Sequence, residues 1–141
     1  MSDRWYAVDA SVAVPLVMRA HEEHTGVAEW ATDKTLCLSG HAAAETYSVL
    51  TRLPIGIRTS PSEAAQVIDA TFVEVLTLPT NVESSIHNEL AYWGICGGAV
   101  YDALVGLAAR ERSMTLVTRD ARAIGTYQSI GVDLMVLALR D

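Results

Sequence analysis

The sequence has few of the features that mark small secreted or membrane proteins. It contains two cysteines, Cys37 and Cys96, and no CxxC pair, which excludes a disulfide framework and a cysteine-rich zinc site. Both cysteines are expected to be reduced and buried. The apolar run at residues 10–18 contains Pro15 and is too short to span a bilayer. We therefore expect a cytoplasmic protein with no membrane partner.

Lysine and net positive charge are also lacking. The chain carries 17 Asp and Glu against 10 Lys and Arg, and all ten except Lys34 are arginine. The formal net charge of -7 disfavours nucleic-acid binding, because phosphates are normally neutralised by basic side chains. However, divalent cations held by clustered acids would reverse the local field, and arginine is the better bidentate phosphate ligand. The charge therefore leaves a nucleic-acid substrate open.

The organisation of the chain predicts one domain over residues 1–141, since no repeat, low-complexity tract or linker divides it. Five short apolar runs alternate with helical stretches and predict strands at residues 5–8, 36–38, 73–78, 114–117 and 134–139. Because the runs are apolar throughout, the strands are expected to be buried on both faces. The pattern predicts a three-layer α/β/α sandwich with a five-stranded parallel sheet.

Two segments have the pattern of a capping box, in which a hydroxyl and a later glutamate bond free backbone N–H groups at a helix start. The first runs from Ser60 to Glu63 and the second from Thr80 to Glu83. Residues 52–61 carry two Arg, two Pro and one Gly, and are predicted to form a projecting turn between helices.

Two acidic residues follow apolar runs. Asp9 comes directly after the first run, and Asp120 comes shortly after the run that ends at Val117. In open α/β sheets, ligands bind beyond the carboxyl ends of the strands, so both acids are expected at the same edge. An Asp after a strand is also a common helix N-cap, which remains an alternative for Asp120.

Two further acids lie in helical stretches with little other charge. Asp102 is the sole charged residue within residues 97–109, and Glu45 is the sole acid within residues 34–62. A helix that is apolar nearly all round is buried, so Asp102 is expected to be the most enclosed acid and to be either protonated or paired with a cation. For Glu45, the alternative partner is His41, one helical turn earlier.

Four carboxylates at one site require a counter-charge, since two like charges 4 Å apart repel by roughly 4 kcal/mol at an effective dielectric near 20. Oxygen ligands without Cys or His suit Mg²⁺ or Mn²⁺ rather than zinc, and Mg²⁺ commonly binds substrate phosphate. The pattern therefore indicates phosphoester hydrolysis, with Asp9, Glu45, Asp102 and Asp120 as metal ligands and catalytic residues.

These acids lie in motifs that resemble the PIN-domain family. The motifs are Val8-Asp9-Ala10-Ser11, the isolated Glu45, Tyr101-Asp102-Ala103-Leu104 and Thr118-Arg119-Asp120. The continuation of the Glu45 helix to Pro54 is similar to VapC toxins, the ribonucleases of type II toxin–antitoxin pairs. The resemblance implies the strand order 3-2-1-4-5 and an endoribonuclease whose four acids hold one or two Mg²⁺. In the family, activated water cleaves RNA to leave a 5′-phosphate and a 3′-hydroxyl.

The resemblance also implies supporting residues and partners. Ser11 and Thr118 match positions where the family often places a hydroxyl beside the metal, although both also fit a turn or a cap. Arg119, Arg52 and Arg58 are candidate RNA contacts. A homodimer and a cognate antitoxin are the expected protein partners, with the turn after Arg52 among the contacts. The antitoxin tail often places a basic residue against the carboxylates.

Three alternatives belong to other functional classes. A receiver domain requires an acceptor Asp after strand three and a late lysine, whereas the third run ends at Leu78-Pro79 and no lysine follows Lys34. A haloacid-dehalogenase-type phosphatase requires a DxD motif where this chain has Asp9-Ala10-Ser11. A PIN fold that serves only as a binding module typically loses its acids, and all four are present. These observations favour a nuclease.

Overall fold

The computed structural model describes residues 4–138. In chain order the elements are β1 (Trp5–Val8), α1 (Ala10–Val17), α2 (His24–Ala31), β2 (Thr35–Ser39), α3 (Ala42–Thr51), α4 (Pro61–Thr71), β3 (Glu74–Leu76), α5 (Thr80–Glu83), α6 (Ile86–Tyr92), α7 (Ala99–Glu111), β4 (Leu116–Thr118), α8 (Ile124–Ile130) and β5 (Leu134–Val136). A short 3-10 turn, Ala121–Ala123, leads into α8. Within the described residues, no helix combines the length and apolar character that a membrane span requires.

The five strands form one parallel sheet in the order β3-β2-β1-β4-β5. β1 is central, since Ala7 aligns with Cys37 of β2 on one side and with Leu116 of β4 on the other. The predicted sandwich and strand order are confirmed. Because β1 and β4 are parallel neighbours, the residues that follow them, including Asp9, meet at the same edge of the sheet.

The strand ends differ from the prediction by a few residues. β4 begins two residues later because Ser113 has a φ of 54° and the Met114 N–H donates to the Ala109 carbonyl, so Met114 belongs to the turn after α7. β3 is shortened to Glu74–Leu76, an edge strand that pairs with β2 alone. The last predicted strand, residues 134–139, begins as predicted but ends at Val136, and residue 139 lies outside the described residues.

The two predicted capping boxes have different outcomes. The Ser60 box is confirmed, since the Ser60 hydroxyl accepts from the Glu63 N–H at 3.2 Å and donates to the Glu63 carboxylate at 2.8 Å. The Thr80 box is wrong. Pro79 occupies the N-cap position of α5, and its carbonyl accepts from the Glu83 N–H, which places Thr80 inside the first turn without a capping bond.

Burial on both faces holds for the central part of the sheet but not for its edges. β4 is buried along its whole length, whereas Val75 of β3 and Val136 of β5 are exposed because edge strands lack a covering neighbour. Cys37 is buried in β2, but Cys96, expected to be buried, is exposed in the loop after α6. The helix that carries Asp102 is buried at Ala103 and along residues 105–109, whereas its first turn is not.

Helices α7 and α8 approach each other closely at Gly106. A Cβ on Gly106 would come within 2.5 Å of the Ile130 Cδ1 and 3.0 Å of a ring carbon of Tyr127. Glycine therefore permits α8 to lie against α7 at this point. The close approach fixes the position of the buried Tyr127 ring, which bears on the site below.

Candidate active site

A small cavity of about 70 Å³ opens at the carboxyl edge of the sheet, and all four acids predicted from the sequence line it. Asp9 follows β1, Asp120 follows β4 by two residues, and Glu45 and Asp102 lie in the first turns of α3 and α7. The parallel topology therefore brings together residues that are up to 111 positions apart in the chain. The other lining residues are Ala10, Ser11, Val105, Arg122 and Tyr127.

Asp9 is the most enclosed of the four acids, with 5% of its surface exposed. Its Oδ1 accepts from the Ser11 N–H at 3.0 Å and from the Ser11 hydroxyl at 2.5 Å. Its Oδ2 accepts from the hydroxyls of Thr118 at 2.5 Å and Tyr127 at 2.9 Å. Four donors thus hold one buried carboxylate in a fixed orientation, and the Ser11 N–H bond also caps α1.

Ser11 and Thr118 connect Asp9 to the loop after β4. The Ser11 hydroxyl, which donates to Asp9, accepts from the Arg119 N–H at 2.7 Å. The Thr118 hydroxyl likewise donates to Asp9 and accepts from the Asp120 N–H at 3.0 Å. The two hydroxyls therefore fix the position of Asp120 relative to Asp9, which is a structural role as well as a place in the cavity wall.

The electrostatics of Asp9 reflect two opposed effects. Burial disfavours the charged form and raises the pKa of Asp9, while the hydrogen bonds from Ser11, Thr118 and Tyr127 act to lower it. The raising effect of burial is the larger. Burial and the adjacent Asp9 charge also raise the pKa of Tyr127, so its hydroxyl stays protonated and serves as a donor.

Asp120 serves as the N-cap of the 3-10 turn. The N-cap role that the sequence left open for this residue is therefore confirmed, and Asp120 also lines the cavity. Its Oδ1 accepts from the Arg122 N–H at 3.0 Å, and its Oδ2 accepts from the Arg122 guanidinium at 2.8 Å. The Arg122 side chain is 81% exposed, and this ion pair places a cationic group at the rim of the acid cavity.

Glu45 and Asp102 are half-buried, which corrects the expectation that Asp102 is the most enclosed acid. Asp102 lies in the first turn of α7, before the buried part of that helix. Burial and the Asp120 charge raise the pKa of Asp102. Burial also raises the pKa of Glu45, with His41 opposing and Asp102, Asp9 and Asp120 adding to the shift. The acids are therefore close enough to interact electrostatically.

The predicted alternative partner of Glu45 does not form an ion pair with it in the described part of the chain. The His41 ring instead stacks on Tyr101, with ring centroids 5.2 Å apart and an interplanar angle of 27°. The link between His41 and Glu45 is the backbone bond from the Glu45 N–H to the His41 carbonyl.

The three arginines predicted to contact RNA have different surroundings. Arg119 has a side chain only 13% exposed, forms an ion pair with Glu23 at 3.3 Å and donates to the Ser11 carbonyl. Arg52 is exposed at the end of α3 and donates to the Ser48 hydroxyl at 3.1 Å. Arg58 is exposed in the turn between α3 and α4, away from the acid cavity lining. Arg52 is thus the one whose guanidinium is both exposed and next to Glu45 along a shared groove.

The residues of the cavity fit a hard divalent cation in donor type, because all of the candidate ligands are carboxylate oxygens. Burial is the main cause of the raised pKa of Glu45 and Asp102, and the neighbouring acids add a repulsion that such a cation would relieve. Among residues 4–138, however, no three acidic, histidine or cysteine side chains already form a closed metal-binding group. A cation would compete with Arg122 for Asp120 and draw the remaining acids inward.

Sequence reasoning missed two residues of the cavity, Tyr127 and Arg122. Tyr127 lies in a short helix 118 positions after Asp9, and nothing in the surrounding sequence marks its contact with that acid. Arg122 had a local signal, since an arginine two residues after a capping aspartate can return to its carboxylate.

The comparisons with known proteins agree with the architecture. Residues 6–127 match the PIN domain family. The chain is 49% identical over 132 residues to Ribonuclease VapC27 of Mycobacterium tuberculosis, covering 94% of this chain and 96% of that protein. It is 40% identical over 129 residues to Ribonuclease VapC40 of the same species, covering 91% and 96%.

Solved structures show the same fold at low sequence identity. FitAB bound to an IR36 DNA fragment matches with a TM-score of 0.68 at 19% identity, over 93% of this chain and 94% of that one. VapBC2 of Rickettsia felis bound to a promoter DNA fragment matches with a TM-score of 0.63 at 15% identity, over 95% and 99%. With a family match over most of its length and relatives of this identity, the chain belongs to the PIN domain family and, within it, to the VapC ribonucleases.

Proposed function

We propose that this chain is a Mg²⁺- or Mn²⁺-dependent endoribonuclease that cleaves RNA phosphodiester bonds. The observation that carries the proposal is the convergence of Asp9, Glu45, Asp102 and Asp120 on one cavity at the carboxyl edge of the sheet. Such a cluster is unfavourable for folding alone and favourable around a divalent cation. The names of the relatives, both ribonucleases, support the same reaction.

The proposed mechanism assigns each acid a role from its surroundings. When bound, the cation supplies water activation near neutral pH and neutralises charge on the phosphoryl oxygens. Asp9 is the rigid anchor, since its four donors fix both oxygens before substrate arrives. Glu45 and Asp102 are less constrained and can adjust to the cation and the phosphate. Burial raises the pKa of both acids, and a bound cation would favour their charged form.

The supporting residues act through position. Ser11 and Thr118 hold the loop that carries Asp120 against Asp9. Arg122 neutralises Asp120 without a cation, and with substrate its exposed guanidinium can turn to an RNA phosphate. Arg52, Arg58 and Arg119 remain the predicted RNA contacts.

We further propose that the protein is the toxin of a toxin–antitoxin pair, acts on RNA in the cytoplasm, forms a homodimer and binds a cognate antitoxin. The structural neighbours are titled as VapBC and FitAB assemblies, which supports an antitoxin partner. The exposed turn after α3 carries Ile55 and Ile57, which are 88% and 54% exposed, and offers apolar area for such contacts. A basic side chain of the antitoxin could replace the cation at the acids.

The direct test is cleavage of a defined RNA by purified protein. Wild type is expected to cleave with Mg²⁺ or Mn²⁺ and to stop with EDTA, and Asp102→Asn is expected to be inactive. The matched control is Asp69→Asn, the same change at an exposed acid of α4 that lies outside the cavity lining, which should cleave normally. Cleavage that persists in EDTA and in Asp102→Asn would refute the proposal. RNA binding without cleavage would instead favour a binding module.

A further inference from the structure

Two exposed aromatic rings stand beside the acid cavity without a role in the chemistry proposed above. His41 immediately precedes α3 and Tyr101 lies in the first turn of α7, and the two rings stack. Tyr101 is 55% exposed and His41 is also exposed. Tyr101 directly precedes Asp102, and His41 lies one helical turn before Glu45. The pair therefore presents an open aromatic surface next to two of the four acids.

A groove of about 360 Å³ extends from His41 along α3 and ends at Arg52. His41, Glu45, Ser48 and Arg52 recur at helical spacing and form one stripe of the helix surface. The eleven steps from the first to the last correspond to about 16 Å along a helix axis. Glu45 lines both this groove and the acid cavity, so the two are continuous.

We propose that the His41–Tyr101 pair is a stacking platform for one base of single-stranded RNA, and that Arg52 binds a phosphate of the same strand. The cleaved phosphodiester bond would lie between that base and that phosphate. This inference rests on the proposed nuclease function. Aromatic rings accept any base through its π-face, and arginine binds phosphate through its planar guanidinium. Glu45 lies between the two contacts, so a strand that spans them crosses the acids.

The platform narrows the class of substrate. A base within a duplex is stacked on its neighbours and cannot leave them for a protein ring without unpairing, so the platform selects loops, bulges and single strands. A nucleic acid uses the rings, the guanidinium and the acids together, whereas an apolar peptide segment would use only the rings. RNA is therefore the favoured occupant of this surface.

The test measures binding of a short single-stranded oligoribonucleotide that carries a fluorescent purine analogue at successive positions, with Ca²⁺ in place of Mg²⁺ so that the acids have a counter-charge, and with the intactness of the RNA checked on a gel. Tyr101→Ala is expected to weaken binding roughly 5- to 100-fold, the loss of one base–aromatic stack, and to remove the fluorescence quenching at one position. Tyr101→Phe keeps the ring and should retain both. The matched control is Tyr92→Ala, because Tyr92 is also an exposed tyrosine in an aromatic pair, 78% exposed, but its ring contacts Trp93 and not His41 of the groove.

Salt dependence separates stacking from charge. Arg52→Gln should weaken binding and reduce the slope of log affinity against log salt by about 1, as expected for the loss of one phosphate contact. Tyr101→Ala should leave that slope unchanged. In cleavage with Mg²⁺, Tyr101→Ala should raise KM with little change in kcat, since a platform outside the reacting atoms contributes to binding alone.

The outcomes distinguish this inference from the proposed function. Equal RNA affinity of wild type and Tyr101→Ala, in a protein that cleaves RNA, would overturn the platform and leave the nuclease standing. Tyr101-dependent binding by a wild type that cleaves nothing would support the platform and count against the nuclease. Unchanged RNA affinity with lost antitoxin binding would assign the surface to the protein partner and overturn the inference, and no RNA binding by wild type would overturn both.

Discussion

The Tyr127 hydroxyl donates a 2.9 Å hydrogen bond to Oδ2 of Asp9, across 118 residues of sequence. Tyr127 is buried in α8, near the other end of the sequence from β1. It is one of three residues whose hydroxyls donate to this carboxylate, with Ser11 and Thr118. The most enclosed acid of the site thus depends on a residue from the last helix. Removing that donor leaves a buried charge with less compensation.

We predict that Tyr127→Phe lowers stability. The change deletes one oxygen and leaves Asp9 with one donor fewer, and hydrogen bonds to charged groups contribute about 1.5 to 3 kcal/mol. The melting temperature should fall by about 4 to 10 °C in a domain of this size. Tyr47→Phe, the same deletion at an exposed tyrosine of α3, serves as the control and should melt like wild type. Equal melting of both variants would mean that the Asp9 bond adds nothing to stability.

Asp102→Asn is predicted to raise the melting temperature in EDTA while it abolishes cleavage. The change replaces a carboxyl group with an uncharged amide of nearly the same volume. Burial and the Asp120 charge raise the pKa of that carboxyl, which means that its charged form is disfavoured in the folded protein. After discounting for solvent screening at this half-buried site, the relief is about 1 kcal/mol, or an increase of about 3 to 5 °C. Thermal melting of wild type, Asp102→Asn and the control Asp69→Asn measures it.

With Mg²⁺ present, the difference between Asp102→Asn and wild type should narrow or invert. The metal stabilises only the native state, and the variant binds it less tightly. A variant that melts below wild type in EDTA would indicate that the Asp102 carboxylate makes a stabilising contact in the metal-free protein.

The same variant carries a pH prediction with a defined sign. An acid with a raised folded pKa binds more protons when folded, so its contribution to stability is lost as pH rises from its ordinary value of 3.8 through the folded pKa. The melting advantage of Asp102→Asn in EDTA should therefore be absent below that ordinary value and grow as pH rises. An advantage that is independent of pH would show that charge is not its cause.

Arg122→Gln is predicted to lower the Mg²⁺ concentration needed for half-maximal cleavage. The substitution removes the cation that occupies Asp120, so the metal no longer competes with it. The melting temperature should change little, because the side chain is 81% exposed. Arg4→Gln, at the exposed pair with Asp33, is the control and should leave the Mg²⁺ requirement unaltered. A higher Mg²⁺ requirement in Arg122→Gln would contradict competition between Arg122 and the metal for Asp120.

The features that sequence reasoning reached share one property: each is marked in its own neighbourhood of the chain. Asp9 directly follows an apolar strand, and Asp102 is the sole charge of a long apolar stretch, so both stand out without knowledge of the tertiary structure. The sheet order was implied by family resemblance rather than by periodicity, and the structure confirms it.

The features that sequence reasoning missed depend on packing between residues that are far apart in the sequence. The Tyr127 contact with Asp9 requires the docking of α8, which no local pattern records. The exposure of Asp102 depends on which part of α7 is covered, and the composition of residues 99–109 is apolar on both sides of Asp102, so it does not mark the covered part. The prediction of a capping box at Thr80 was wrong for a local reason, since the preceding residue, Pro79, serves as the N-cap.

The glycine at position 106 has a consequence for the site although it has no side chain and lies outside the cavity lining. Its missing methyl group sets how far α8 can settle onto α7, and the Tyr127 ring rests against that position. A methyl group there would move the ring and, with it, the hydroxyl that meets Asp9. The ionisation of Asp9 is thus coupled to the spacing between α7 and α8. Asp9, at the end of the first strand, acquires its final surroundings only when α8 has docked.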